Sequence, residues 1–286
     1  MTISKAVITA AGKDQAHLPL QTVVDQSGRA RSALELILAE VVSAGIKEIA
    51  IVVAPGEQDR YHAAAGNFAS RLTFFPQPEP RGYGDAILRA RSFVGGEKFL
   101  HLVGDHLYVS DHSQWSCAAQ LVAVAEREDC SVSAIQPTHE SKLRFFGTIG
   151  GSPVAHAEKL FEVTAILEKP TPTQAEQALI VAGQRSGYYL CFFGMHVLTP
   201  TVMDLLVEAK AALPANATDK PSNINLSDSL RKLIQREKYL AFQIQGQRFN
   251  IGETYGLLIA QMALALSGPD RDRILVELIE LLARPK

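Results

Sequence analysis

The stretch KFLHLVGD, Lys98–Asp105, decides the fold. An apolar run of strand length stops at Gly104-Asp105-His106, so it reads as a buried strand whose carboxyl end opens into a charged loop. The pattern recurs on either side. KAVITA (Lys5–Ala10) runs into Ala11-Gly12, EIAIVVA (Glu48–Ala54) is closed by Pro55-Gly56, and Arg71–Phe75 and Cys130–Gln136 read as further strands. Between them, residues 31–44, 57–69, 85–94 and 113–128 place apolar side chains at helical spacing, the first stopping at Gly45. This alternation predicts an α/β fold, a Rossmann-like, mostly parallel mixed sheet flanked by helices. Such sheets bind ligands beyond the carboxyl ends of their strands. Ala10-Ala11-Gly12 and Gly104-Asp105-His106 lie at two of those ends.

The second half is more mixed. Strands are expected at 145–151, 160–170, 187–198 and 239–246, and helices at 171–183, 199–210 and 225–237. No linker interrupts the alternation, which predicts one α/β domain over residues 1–254. The remaining piece, 255–286, holds two helices at 255–267 and 271–284 whose apolar stripes pack on the domain or form an oligomer interface.

Composition narrows the function. At about 150 residues per domain, 286 residues make two domains or one large one with an appendage. With 47% hydrophobic and 20% charged residues, a largely disordered chain is excluded. The 28 basic and 30 acidic residues leave a formal net charge of −2, which argues against a nucleic-acid or anionic-membrane binder. Cys117, Cys130 and Cys191 are odd in number and form no CxxC, so they read as buried thiols. His101, His106 and His112 have irregular spacing and no fourth ligand, unlike a transition-metal site. No signal-peptide core and no run of about 18 apolar residues is visible, so a cytoplasmic protein without a membrane span is expected.

Seven motifs follow in order: Ala10-Ala11-Gly12; Q-x-x-x-x-G-x-G-x-A at 77–86; Gly104-Asp105-His106; F-G-T-I at 146–149; L-E-K-P at 167–170; N-I-N-L-S-D at 223–228; F-N-I-G at 249–252. The succession covers nearly the whole chain and resembles the bacterial sugar-1-phosphate nucleotidylyltransferases, closest to the UTP–glucose-1-phosphate uridylyltransferases. That resemblance implies the nucleotide-diphospho-sugar transferase type of sheet. It also implies Mg²⁺-dependent transfer of a uridylyl group from UTP to a sugar 1-phosphate, glucose 1-phosphate foremost, in a possible homo-oligomer. Asp105 would be the main Mg²⁺ ligand and Asn250 the second. Ala11 and Gly12 would let the backbone approach base and phosphates, and Gln77 would read the pyrimidine edge beside Gly82. Gly147 would lie against the sugar, Glu168 would accept from its hydroxyls, and Lys169 would reach its phosphate. Read without the resemblance, Asn225 or Ser227 starts a helix as its cap. The loop at 138–147, with Tyr188 and Tyr189, is expected to shape the sugar pocket.

Two departures from the family pattern stand out. Its first loop reads G-x-G-T-R with a lysine further on; here Gly12 is followed by Lys13-Asp14-Gln15-Ala16, so Ala16 stands where the arginine belongs. Lys13 is the nearest cation, with Arg29 and Arg31 as other candidates to hold the triphosphate. Asn250 stands where the family has an aspartate, and an asparagine coordinates through its carbonyl oxygen without contributing charge. These departures keep a second reading open, a catalytically weak or inactive homologue that binds or senses a nucleotide sugar. A glycosyltransferase lacks its D-x-D here, and a nicotinamide dehydrogenase lacks G-x-G-x-x-G after the first strand.

Overall fold

Alternate residues of the first strand divide between two cores, as the period-two geometry of a strand dictates. In β1 (Lys5–Thr9), Ala6 and Ile8 enter one core and Val7 the other. The computed structural model describes residues 2–12, 16–112, 114–213 and 223–283. Its further strands are β2 (Thr22–Val24), β3 (Ala30–Ser32), β4 (Glu48–Val53), β5 (Leu72–Pro76), β6 (Phe99–Val103), β7 (His106–Ser110) and β8 (Ser131–His139). Then come β9 (Gly147–Pro153), β10 (Leu160–Glu168), β11 (Tyr188–Leu198), β12 (Tyr239–Gln243) and β13 (Gly246–Asn250).

Nine strands form one sheet in the order β5-β4-β1-β6-β11-β8-β12-β10-β9. The block β5-β4-β1-β6 is parallel, and so is β8–β12; β11 runs antiparallel to β6, β8 and β9, and β10 antiparallel to β12 and β9. From β1 the chain builds outward through β4 and β5, then returns to the other side of β1 as β6. The strand order therefore reverses between β1 and β6, which opens a crevice beyond their carboxyl ends. Ala10-Ala11-Gly12 and Gly104-Asp105 stand at that crevice.

Local chemistry trims the expected helices. The stretch read as a helix over 31–44 begins at Ala33, because Ser32 and Glu35 form a capping box with bonds of 2.9 and 3.0 Å. The helix read over 171–183 shortens to Pro172–Ala178, and 225–237 to Leu226–Leu233.

Two ribbons were not expected, the β2–β3 hairpin and the pairing of β7 with β13. β7 follows Asp105 directly and pairs antiparallel with β13, so Asn250 faces His106 across the ribbon and Ile251 N donates to Asp105 O at 2.9 Å. The ribbon ties Asp105 and Asn250 to one small element. Of the C-terminal helices, Gly256–Leu266 buries Ala260 and Leu264, and Gln261 exchanges two 2.8 Å bonds with the backbone of Val24. Arg271–Ala283 buries no side chain. No described helix is long and apolar enough to cross a membrane.

Candidate active site

Two chambers lie side by side beyond the carboxyl ends of β1 and β6, sharing a wall of Tyr83, Val103 and Asp105. The first, about 300 Å³, is lined by Ala11, Gly12, Gln77 and Gly82. The second, about 780 Å³, is lined by Gly147, Glu168, Lys169 and Asn250. The fold thus gathers nine of the ten site residues expected from sequence. The tenth, Lys13, lies outside the described residues.

The first chamber is built mainly from backbone and uncharged side chains. Its first loop is anchored from below by the fully buried Tyr61, whose hydroxyl donates to Ala16 O at 2.7 Å with Ala10 O at 3.3 Å. Its far wall is the loop from Gln77 to Tyr83. Gly82 there has φ +97°, and a Cβ on it would sit 2.8 Å from Ile224 O. The position thus demands glycine on both conformation and space. Ile224 N donates to Arg81 O at 2.8 Å and Gly84 N to Ile224 O at 2.7 Å, zipping this loop to Asn223–Asn225. Gln77 is only 6% exposed. Among the described residues no basic side chain lines this chamber.

The second chamber is charged. Lys169 holds φ +48°, a left-handed conformation uncommon outside glycine. Its amide donates to Phe146 O at 3.2 Å, which fixes the turn after β10. Glu168 Oε2 accepts from Ser227 Oγ at 2.5 Å. Gly147 is required by close approach, since a Cβ there would lie 2.6 Å from the Phe192 ring and 3.0 Å from Glu168 Oε2. Arg144 adds a second cation to the lining.

Asp105, on the shared wall, accepts from His106 Nδ1 at 2.7 Å. Burial pushes its carboxyl up, but the charges of His106 and Lys169 and the His106 hydrogen bond outweigh that, holding it below the usual carboxylate range. Behind the wall, Tyr83 OH lies 2.5 Å from His101 Nε2, and His101 Nδ1 lies 2.8 Å from Val7 O. The Val7 carbonyl can only accept, so Nδ1 carries the proton and Tyr83 donates to Nε2. His196 stacks parallel to His101 at 6.1 Å and bonds Ser133 Oγ. Burial lowers His101 to about 4 and His196 to about 3, so both stay neutral.

The donor set suits a hard cation: one carboxylate, and an amide oxygen beside it on the ribbon. His106 takes Oδ1 of Asp105, while Asn250 Oδ1 already accepts from Gly252 N at 2.9 Å and keeps one lone pair.

Several expectations are corrected. Arg29 and Arg31 do not reach either chamber: Arg31 pairs with Asp25 at 2.8 Å and Glu35 at 3.2 Å, and Arg29 with Asp25 at 3.8 Å, on the β2–β3 hairpin. Asn225 stands at the helix N-cap but makes no side-chain capping bond, and Ser227 bonds Glu168 instead. Of the residues expected to shape the sugar pocket, Arg144 to Gly147 do line it. Tyr189 packs with Leu143 and Cys191, and Tyr188 meets the edge of His139. Sequence reasoning missed Tyr83, Arg144 and the Ser227–Glu168 bond. It also missed Asp85, whose spacing from Arg89 was the one visible signal of an ion pair.

Known proteins bear on this geometry. The sequence model described as "Nucleotidyl transferase" matches residues 22–265. A UTP–glucose-1-phosphate uridylyltransferase of Streptococcus pneumoniae is 26% identical, covering 98% of this chain and 96% of its own. One from Streptococcus pyogenes is 25% identical, covering 93% and 90%. Among solved structures, a UDP-glucose pyrophosphorylase complexed with UDP-glucose superposes with a TM-score of 0.73 at 23% identity, covering 92% of this chain and 98% of its own. The enzyme from Acinetobacter baumannii gives 0.74 at 23% identity over 98% and 100%. The structural likeness establishes the fold, a nucleotide-diphospho-sugar transferase sheet.

Proposed function

The chain belongs to the nucleotidyl transferase family, and we propose that its two chambers transfer a uridylyl group from UTP to a sugar 1-phosphate, glucose 1-phosphate foremost, giving a UDP-sugar and pyrophosphate. The observation that carries this is the shared wall. A narrow, uncharged chamber with a buried amide and a wide chamber with Lys169, Arg144 and Glu168 meet at one carboxylate, Asp105. The relatives named for this reaction support the choice of substrates.

In this reading the base enters the first chamber against Gln77 and Gly82, and the phosphates follow the backbone of Ala11 and Gly12. The sugar lies on Gly147, and Glu168, oriented by Ser227 on Oε2, accepts from its hydroxyls with Oε1, which no described residue holds. Lys169 holds the sugar phosphate as a point charge. A phosphate oxygen then attacks the α-phosphorus, the bond to the bridging oxygen of pyrophosphate breaks, and holding both reactants at the shared wall supplies proximity and charge stabilisation. Asp105 and the carbonyl of Asn250 would hold Mg²⁺, which when bound supplies charge neutralisation at the phosphates. Lys13, outside the described residues, belongs to this reading as the expected replacement for the family's triphosphate-holding cations. The division at 254/255 belongs to it as well. There Val276, Ile279 and Leu282, exposed at helical spacing on the last helix, are the face a homo-oligomer would cover, and sedimentation tests this.

The experiment is pyrophosphate release with Mg²⁺, each nucleoside triphosphate against a panel of sugar 1-phosphates. Turnover with UTP and one sugar is the expected result. A second reading, a nucleotide-sugar binding or regulatory protein, is favoured by one observation: no described cation lines the first chamber, where Ala16 replaces the family arginine. Binding of UDP-glucose with pyrophosphate release at background selects that reading.

A further inference from the structure

Gln77 Nε2 has two neighbours, and both only accept: Asp85 Oδ2 at 2.9 Å and the Gly82 carbonyl at 3.3 Å. An amide between two acceptors must turn its nitrogen toward them, since the opposite flip sets oxygen against oxygen. Asp85 cannot yield. It is fully buried, with its carboxylate held by Arg89 (Nε at 3.2 Å, Nη2 at 3.1 Å) and by Lys210 at 3.6 Å. Gly82 cannot yield either, being pressed on Ile224. Both Nε2 hydrogens are therefore taken. No described residue donates to Oε1, and Gln77 lines the first chamber.

We infer that Asp85 is a specificity-determining positioning residue: it locks the Gln77 amide so that only the carbonyl oxygen is offered to the base. The chamber then takes a pyrimidine that presents an N–H at ring position 3, as uracil does, and rejects cytosine, whose N3 accepts. This rests on reading the first chamber as the nucleotide site and goes beyond it. The choice between the two pyrimidines is made by a buried ion pair that touches no ligand.

Gln77 and Arg89 both bond Oδ2 of Asp85, so an asparagine would keep an oxygen there and preserve the lock; removing the side chain is what frees the amide. In an Asp85→Ala variant only the 3.3 Å bond to the Gly82 carbonyl still opposes the flip that turns the Gln77 nitrogen to the chamber. The test is calorimetric titration of UDP-glucose and CDP-glucose into the wild type, D85A, Gln77→Leu and the double variant. The wild type is expected to prefer UDP-glucose by roughly 10²-fold, because a mismatched base leaves buried polar groups unpaired. D85A should cut that ratio by about tenfold through tighter CDP-glucose binding, the worth of one hydrogen bond to a charged group. Gln77→Leu should erase it, and adding D85A to Gln77→Leu should change it no further. An unchanged ratio in a folded D85A overturns the inference. If D85A does not fold, the Gln77 side-chain amide decides the matter in ¹⁵N spectra of the wild type. Slow exchange of both protons, kept when UDP binds, is expected, and fast exchange overturns the lock. A wild type that binds neither sugar nucleotide instead removes the reading of the chamber itself, an outcome distinct from discrimination that D85A leaves intact.

Discussion

The two chambers are built by opposite means. The first holds its shape through bonds that never face a ligand: Tyr61 under the first loop, Asp85 behind Gln77, Ile224 against Gly82. It offers shape and one amide. The second offers charge, set on backbone turns: Lys169 at φ +48°, and Glu168 at the end of β10. Changes to the first should therefore alter which ligand is chosen, and changes to the second how strongly phosphate is held.

The shared wall is where the contrast is easiest to break. Asp105→Ala should lower pyrophosphate release by about 10³-fold, the upper range for removing one preorganised electrostatic group. Steady-state kinetics check this, and a rate near wild type would remove Asp105 from the chemistry. Lys169→Met should cost about 10²-fold in kcat/KM for the sugar phosphate while leaving UDP affinity in place, measured by kinetics beside calorimetry. Equal losses on both sides would mean that the chambers are not separate.

Acid probes the interior behind the wall. His101 and His196 have folded pKa values of about 4 and about 3, below the ordinary 6.5. Above 6.5 both states are neutral and the contribution to stability is complete. As pH falls below 6.5 the unfolded chain takes protons that the folded chain refuses, so stability drops until about 4 and about 3, then levels. Melting curves from pH 7 to 4 should show this fall, shrunken by on the order of 5 °C in a His101→Gln/His196→Gln variant. The smallest effect sharpens the comparison. Asn250→Asp adds a charge on the ribbon and should lower the Mg²⁺ concentration for half-maximal rate by about tenfold, with base preference unchanged.

Sequence reading reached the strand ends well, because buried parallel strands leave apolar runs that stop at the crevice, as at Gly12 and Asp105. It missed the β7–β13 ribbon, because HLYVS follows Asp105 at once and its partner lies more than a hundred residues on, where no local signal points back. Asp85 was illegible for a related reason. A charged side chain reads as solvated, and its full burial depends on Arg89 and on the distant Lys210 together. Ser227 looked like a cap because serine before a helix commonly is one; its bond to Glu168 exists only once β10 and the helix from Leu226 have met.

The short run from Asn223 to Ser227 belongs to both chambers. Ile224 is bonded to Arg81 and Gly84 on one side, and Ser227 to Glu168 on the other. On the proposed reading, nucleotide and sugar each rest against this run, and thermodynamic linkage makes any coupling through it mutual: whatever factor one ligand adds to the affinity for the other is returned to the first.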